Sequence, residues 1–420
     1  MQVRNKPRRA RLRSAARGLK IKQKAIANLE AELLRRVRAH EGLSRVDLAR
    51  QLDLAPSTVG GYVDRLISEG FLFERRKAER EFGRPPTLLA LNPAGGRFIG
   101  VDFEARNLMA TVVDFSQQPM GQIRKTIRPS DSIEQIIGKI ERAIEELMEG
   151  QAREVLGIGV GVPGVIDPKR QIALHYPHIQ GWENILLGQR LAKRFKVDVF
   201  LENNIRSMAL AELWFGQGRG LDNFVCLGIR TGIAAGIVVQ RDVLHGRNNL
   251  AGEIGDCLCP VAPLQPSGGR AGRIAWTCDQ LRPLEEIASV PAILNSVRAA
   301  LKNGRRSSLR AKEGEITFEA VAEAARQGDE LVGGVLASVA QTLAWVVCGI
   351  NALFNPQKII LAGSLVTLGD ALLGPLRQAV RQFCPQALQQ PPIVVNSELG
   401  DFNGALGAAA LALHEWKPKR

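Results

Sequence analysis

The sequence predicts an α/β body carried behind a small, strongly basic helical head, and three observations predict it. Positive charge is concentrated at the front: residues 1–95 hold 21 Lys/Arg against 10 Asp/Glu, net +11, and the remaining residues hold 35 against 32, net +3. Helical spacing of apolar residues up to about residue 69 gives way, beyond Asn92-Pro93, to apolar strands separated by glycine-rich turns. A strand, a turn and a strand at residues 98–113 return at residues 223–239 (NFVCLGIRTGIAAGIVV), there with a glycine turn, so the body is expected to hold two related halves.

The elements follow in order. A basic arm, residues 1–24, carries Arg4, Lys6, Arg8, Arg9, Arg11 and Arg13 with no acid before Glu30. Residues 26–39 repeat Ile26, Leu29, Leu33, Leu34 and Val37 at helical spacing. A second helix starts at the Ser44 cap and runs to Gln51; a third runs over residues 56–69 with Pro56 in its first turn, and Gly70 stops it. Two short strands, 71–73 and 88–91, flank a charged loop over 74–84 closed by Gly83-Arg84-Pro85-Pro86. In the body, strands are expected at 98–103, 108–115, 155–160 and 197–201, with a turn at Gly161-Val162-Pro163-Gly164. Helices are expected at 132–148, 185–195 and 206–215. Residues 261–283 read as loop, helices fill 283–326 and 331–353, and 359–362 reads as a last strand. The boundaries are 1–24 for the arm, 25–95 for the head and 96–420 for the body.

Composition excludes several classes. With 420 residues and 45% hydrophobic side chains the chain is neither a disulfide-built mini-protein nor mostly disordered, and with aromatics at 5% aliphatic side chains must do most of the packing. Six scattered cysteines and the lack of an apolar signal segment point to a reduced, cytoplasmic protein, although the basic arm also mimics a transit peptide. Residues 331–357 are uncharged and long enough to span a bilayer. Gln341, Thr342, Asn351 and several glycines within them favour a buried helix instead.

Two short helices, the second approaching its partner through small residues, followed by a hairpin, make a helix-turn-helix with a wing. The basic front calls for a polyanion, nucleic acid or an anionic membrane surface. In the DNA reading the third helix enters the major groove, bringing Ser57, Thr58, Gly60 and Gly61 to bases or phosphates, with Tyr62 and Arg65 on neighbouring turns. Arg45 joins them from the second helix. Arg75, Arg76, Lys77, Arg80 and Arg84 of the wing, with the arm, would contact phosphate or the minor groove. The Gly60-Gly61 pair is costly inside a helix, up to about 1 kcal/mol per glycine against Ala; close approach of DNA is one explanation.

Taken in order, SRVDLAR, LAPSTV, LISEGFL, GRPPTLLALNP, IGVDF, GIGVGVPGVID, GWEN, LENNIRSMALAE, GIAAGIVV, LAGEIG, PLEEIAS and NPQKIILAGSL resemble the ROK family of repressors, open reading frames and kinases, in particular its transcriptional repressor branch. The resemblance covers nearly the whole chain. It implies a two-lobed actin-like, ribonuclease H-type sugar-kinase fold with a sugar cleft between the lobes.

Kinases of this family need a glycine phosphate loop, an Asp as general base and groups that hold the sugar. Where their first loop reads Asp-x-Gly-Gly-Thr, this chain has Asp102-Phe103-Glu104-Ala105-Arg106. The second loop keeps Gly232 and Gly236 but carries Arg230 and Ala234 at glycine positions. Asn204 stands at the base position, and an amide accepts no proton at neutral pH; Asp167 and Glu202 are the nearest substitutes. Phosphoryl transfer is not expected. Asn203, Glu253 and Glu285 match positions that hold sugar hydroxyls, and Asp256 replaces the usual His. With Asn204 these form the expected ligand set. Of the family's zinc-binding thiols only Cys278 survives; a rewired site of Cys257, Cys259 and Cys278 competes with three structural thiols, and no metal or cofactor is expected.

The resulting expectation is a homodimeric, sequence-specific repressor of carbohydrate metabolism with a catalytically degraded, sugar-sensing body. The alternatives are an active sugar kinase with a DNA-binding appendage, and a constitutive DNA-binding protein with a vestigial ligand domain.

Overall fold

Ser44 fixes the start of the helix-turn-helix: its hydroxyl accepts from the Asp47 amide while the Asp47 carboxylate accepts from the Ser44 amide, a reciprocal cap that opens α2 (Arg45–Gln51). The computed structural model describes residues 26–40, 42–76, 87–149, 154–261, 281–309, 316–384 and 391–419. Ahead of α2 lies α1 (26–39), and after it α3 (Pro56–Ser68), which has Pro56 in its first turn and ends at Gly70, in the left-handed region at φ 81°. The wing strands β1 (Leu72–Arg76) and β2 (Thr87–Leu91) pair antiparallel, Leu72 opposite Leu91. Leu33, Leu34, Val37, Leu48, Val59, Val63, Leu66, Leu72 and Leu89 are buried together as the head's core.

The first lobe is built from β3 (Arg97–Phe103), β4 (Asn107–Asp114) and β5 (Pro119–Thr126) as an antiparallel meander, then α4 (Ile133–Met148) and β6 (Val155–Val162), parallel to β3. A small sheet of β7 (Val165–Asp167), β8 (Ile172–His175) and β9 (Glu183–Ile185) leads to α5 (Leu187–Phe195) and β10 (Asp198–Asn203), parallel to β6. The sheet order is β10-β6-β3-β4-β5. Helix α6 (Asn204–Phe215) crosses to the second lobe, where β11 (Phe224–Ile229), β12 (Ile233–Val239) and β13 (Asp242–Val243) form another meander. After β14 (Leu258–Pro260), β15 (Leu281–Pro283), α7 (Leu284–Ala288), α8 (Val290–Lys302), α9 (Phe318–Arg326) and α10 (Glu330–Phe354), β16 (Lys358–Ala362) lies parallel to β11. Then come α11 (Asp370–Phe383), β17 (Val394–Asn396), parallel to β16, and α12 (Asn403–Glu415). The order β13-β12-β11-β16-β17 repeats the first sheet strand for strand, so the expected pair of related halves is present.

Several elements differ from expectation. The strand at 358–362 is not the last element, because α11, β17 and α12 follow it. Gly161 and Val162 belong to β6 rather than to a turn, and residues 281–283, read as loop, form β15. The additional β5 is an edge strand whose polar residues alternate weakly, and β7–β9 are too short to show a period. Helix α10 is the one among the described residues long and apolar enough to cross a membrane, and half of its most apolar stretch is buried. Leu331, Leu336, Val339, Leu343 and Val347 place it in the core of the second lobe.

Helix α12 returns to the first lobe and lies against β3 and β6 at a spacing that only glycine allows. A Cβ at Gly100 would come within 2.0 Å of the Ala405 carbonyl, and one at Gly159 within 1.8 Å of that of Ala408. Beyond α12, Trp416 joins Phe71 of the head and Phe98 and Phe115 of the body in one aromatic cluster. Phe71 lies 5.2 Å from both Phe115 and Trp416, and Phe115 lies 5.8 Å from Trp416. The Arg38 guanidinium of α1 donates to the Leu413 carbonyl at 3.2 Å and covers the Trp214 ring, and Lys417 reaches Asn28. Head and body share a continuous core.

Candidate functional site

Helix α3 turns Val59, Val63 and Leu66 inward, which leaves Ser57, Thr58, Gly61, Asp64 and Arg65 on the exposed face. Gly60 is half-buried, and a Cβ there would approach nothing closer than the Arg45 guanidinium at 4.0 Å; at Gly61 it would meet no atom within 4 Å. Among the described residues no contact requires either glycine. Tyr62 is half-buried beneath the Arg65 guanidinium, 5.4 Å from its ring, and Arg65 pairs with the buried Glu30 at 3.2 Å. Arg45, expected on DNA, is engaged within the head: it reaches Asp64 at 2.6 Å, Glu74 at 2.8 Å and the Gly60 carbonyl at 3.4 Å, tying α2 to α3 and the wing. Arg75 is exposed on β1, Arg76 follows it in that strand, and Lys77, Arg80 and Arg84 lie outside the described residues.

At the second site β10 delivers three polar residues to the lobe boundary. Glu202 and Asn203 end the strand and Asn204 opens α6; all three are buried. The Asn203 carbonyl oxygen caps α6 by accepting from the Ile205 and Arg206 amides, while its amide donates to the Gly164 carbonyl at 3.0 Å and to Glu253 at 3.4 Å. Burial raises the Glu253 pKa, and the nearby Asp256 and Glu285 carboxylates add to the rise. Glu285 accepts from the Ile233 amide at 3.2 Å and pairs with His178 at 2.9 Å, which raises the His178 pKa. Asp256 is exposed. The structure thus joins Asn203 to Glu253 directly and brings Glu285 near them. Asn204, expected at the base position, is a buried amide at the head of the helix.

Glu202 is engaged by Arg206 at 2.8 Å, His245 at 2.7 Å and the Asn203 amide at 2.7 Å. Burial alone would raise its pKa, but His245 and Arg206 hold it below the usual carboxylate range. Glu202 is therefore held as a carboxylate between two partners. Asp167 sits on β7 and accepts from the Arg170 amide.

The two first hairpin turns of the repeated halves meet across the cleft. Arg230, beyond β11, reaches Asp102 at 2.7 Å, with side-chain exposures of 10% and 1%, and Thr231 donates its hydroxyl to Glu104 at 3.2 Å. Burial pushes the Asp102 carboxyl up to about 6, with Arg230 pulling against it. Beyond the pair opens a cavity of about 980 Å³, lined among others by Asn295, Phe318, Ser364 and Asp401.

His178, His245 and Thr231 were not singled out by the sequence. Their only signal is spatial, since His178 lies 107 residues from Glu285 and His245 lies 43 from Glu202. Among the described residues no cluster of His, Cys, Asp and Glu could hold a metal ion; Cys257 is exposed, Cys259 is buried, and Cys278 lies outside the described residues.

Residues 98–415 match the ROK family, and residues 29–72 match the winged helix-turn-helix DNA-binding family. The DNA-binding transcriptional dual regulator NagC of Escherichia coli K12 is 30% identical over 383 residues, 91% of each chain. A crystal structure of a ROK family transcriptional regulator, a homologue of the E. coli Mlc protein, superposes with TM-score 0.75 at 26% identity, covering 93% of this chain and 96% of that one. A ROK family glucokinase from Streptomyces griseus, in complex with glucose and AMPPNP, superposes with TM-score 0.64 at 26% identity, covering 76% of this chain and 99% of that one.

Proposed function

The chain belongs to the ROK family, and on that premise we propose that it is a DNA-binding transcriptional regulator of sugar metabolism, acting as a repressor, whose kinase-like body senses a sugar or sugar derivative without phosphorylating it. The observation that carries the reading is a winged helix-turn-helix docked through a shared aromatic core onto a two-lobed body, and we read the buried amide of Asn204 as standing where a kinase of this family would have its base. In this reading residues 1–24 are a basic arm, 25–95 the DNA-binding unit and 96–420 the sensor.

Ser57, Thr58, Gly60, Tyr62 and Arg65 face the major groove. Arg75, Arg76 and Arg84 meet phosphate, and Arg45 braces the wing and supports them. Asn203, Glu253 and Glu285 hold ligand hydroxyls through paired acceptors and donors, with Asn204 and Asp256 completing the set. The chain acts in the cytoplasm as a homodimer, because a winged helix reads two half-sites with a two-fold partner. A ligand changes DNA affinity only by its differential binding to two arrangements of the heads.

The test is selection of genomic fragments by the purified protein at two salt concentrations, with and without a mixed sugar pool. The expected result is an enriched palindrome whose occupancy the sugars change. Binding that is salt-sensitive but enriches no site overturns the regulator, and an enriched palindrome indifferent to every sugar overturns the sensor. A coupled ATP assay with glucose is expected to show no turnover.

A further inference from the structure

We propose that Arg230 closes the cleft from within: rooted in the first hairpin turn of the second lobe, it takes up Asp102 of the first lobe and holds the lobes together without a nucleotide. The proposal rests on the sensor reading of the body and deepens it, because it makes the ligand a sugar bound alone.

The geometry carries the inference. Asp102 is the penultimate residue of β3 and Arg230 follows β11, strands of two sheets that share no hydrogen-bonded neighbour, so their 2.7 Å contact is a bond between lobes. The pair is buried, where an ion pair is hardly screened and where removal of one partner strands a charge. A second contact joins the same two turns: the Thr231 hydroxyl donates to Glu104. Both carboxylates line the 980 Å³ cavity, which Arg106, Arg124, Arg298 and Arg326 also line; a polyphosphate drawn in by those arginines would still meet Asp102 and Glu104 as like charges beside the latch and find Arg230 already engaged.

Asp102 has little room to follow a departing partner. A Cβ added to Gly404, in the first turn of α12, would lie 2.4 Å from the Asp102 carboxylate, and the other carboxylate oxygen, Oδ1, is buried without a hydrogen bond. The pair therefore bears on the N-terminal end of α12, and the chain just past the other end of that helix carries Trp416, part of the head's seat.

The test uses the full chain. The double substitution D102N/R230M removes both charges of the pair at nearly constant volume, so neither member is left as a stranded ion, and Glu104 keeps its bond to Thr231. Amide hydrogen exchange is expected to rise roughly tenfold or more at residues 103–107 and 229–233, with β6 unchanged. Thr231→Val, which deletes only the minor contact, should raise exchange in the same two turns by a smaller factor and guards against a double variant that does not fold. Titration of the unaltered protein with magnesium and AMPPNP should give no saturable binding. Protection in both turns that survives D102N/R230M, unchanged exchange in T231V, or saturable AMPPNP binding by the unaltered chain overturns the proposal. None of these readouts uses DNA or sugar, so a chain that selects no operator would sink the regulator while leaving the latch standing.

Discussion

Two seams divide this chain. Across the cleft the lobes meet through ionised and hydrogen-bonding groups: Asp102 with Arg230, Glu104 with Thr231, Glu285 with His178, and Glu202 with His245. Between head and body the contact is mainly apolar, four aromatic rings among aliphatic side chains, with Arg38 on Leu413 and over Trp214 and Lys417 on Asn28 at the rim. A polar seam can exchange an internal partner for a ligand hydroxyl or a water at small net cost, because each hydrogen bond lost is replaced. An aromatic seam has no such substitute, since opening it returns apolar area to water. Movement should therefore start at the cleft and pass through the head joint as through a rigid body.

The largest expected effect breaks the aromatic seam. Trp416→Ala should cost about 3–5 kcal/mol, the range for emptying a buried aromatic site. In calorimetry the head should then melt as a separate, earlier transition. A single transition shifted by less than about 1 kcal/mol would mean that the rings do not tie head to body.

Acidity sharpens the comparison because the seams should respond with opposite sign. At the joint, burial pulls the His414 imidazole down to about 4, and Arg38 and Arg35 add to the fall. The unfolded chain then binds the proton more readily than the folded one. The stability held by neutral His414 is complete above its ordinary pKa and should fall by about 2 kcal/mol by pH 5. In the cleft, the Glu285 and Glu202 carboxylates raise His178 and His245, so the stability from those pairs is complete below the ordinary imidazole pKa and is lost as pH rises through the raised values. Between pH 7 and 5, amide protection factors, which allow for the slower intrinsic exchange at low pH, should fall around residues 413–416 and rise around residue 178. Parallel changes at both places would show that the seams are not electrostatically distinct.

The smallest effect leaves both seams intact and varies the head alone. Gly61→Ala should stabilise the head by up to about 1 kcal/mol, because alanine is the better helix former and its methyl meets no protein atom. It should nevertheless weaken binding to the selected DNA. Equal or tighter binding by the stabilised variant would remove close approach of DNA as the reason for the glycine.

Much of the head was legible in the sequence because its signals are local: the Ser44 cap, Pro56 in a first turn and the Gly70 stop each act within a few residues. The repeat of the two halves was legible for the same reason, as a strand, turn and strand written twice. Helix α12 was not, since ten of its residues from Asn403 to Leu413 are buried on every side and leave no amphipathic period to read. In the site, the positions of Asn203, Glu253 and Glu285 could be named, but not their partners. Arg230 read as bulk in a glycine position, and only the fold shows it meeting a carboxylate on the opposite lobe. Contacts of this kind depend on how two sheets are set against each other, which no local pattern encodes.

The placement of α12 also bears on how the protein is made. The Arg38 guanidinium and the Leu413 carbonyl it binds are 375 residues apart, so the head leaves the ribosome long before its seat exists. At synthesis rates of roughly 5–20 residues per second the interval is about 20–75 s. During it the newborn helix-turn-helix has only its own small core, with Phe71 and the apolar rim around it exposed to chaperones and proteases. Chains that stop short of α12 would carry a head with nowhere to dock.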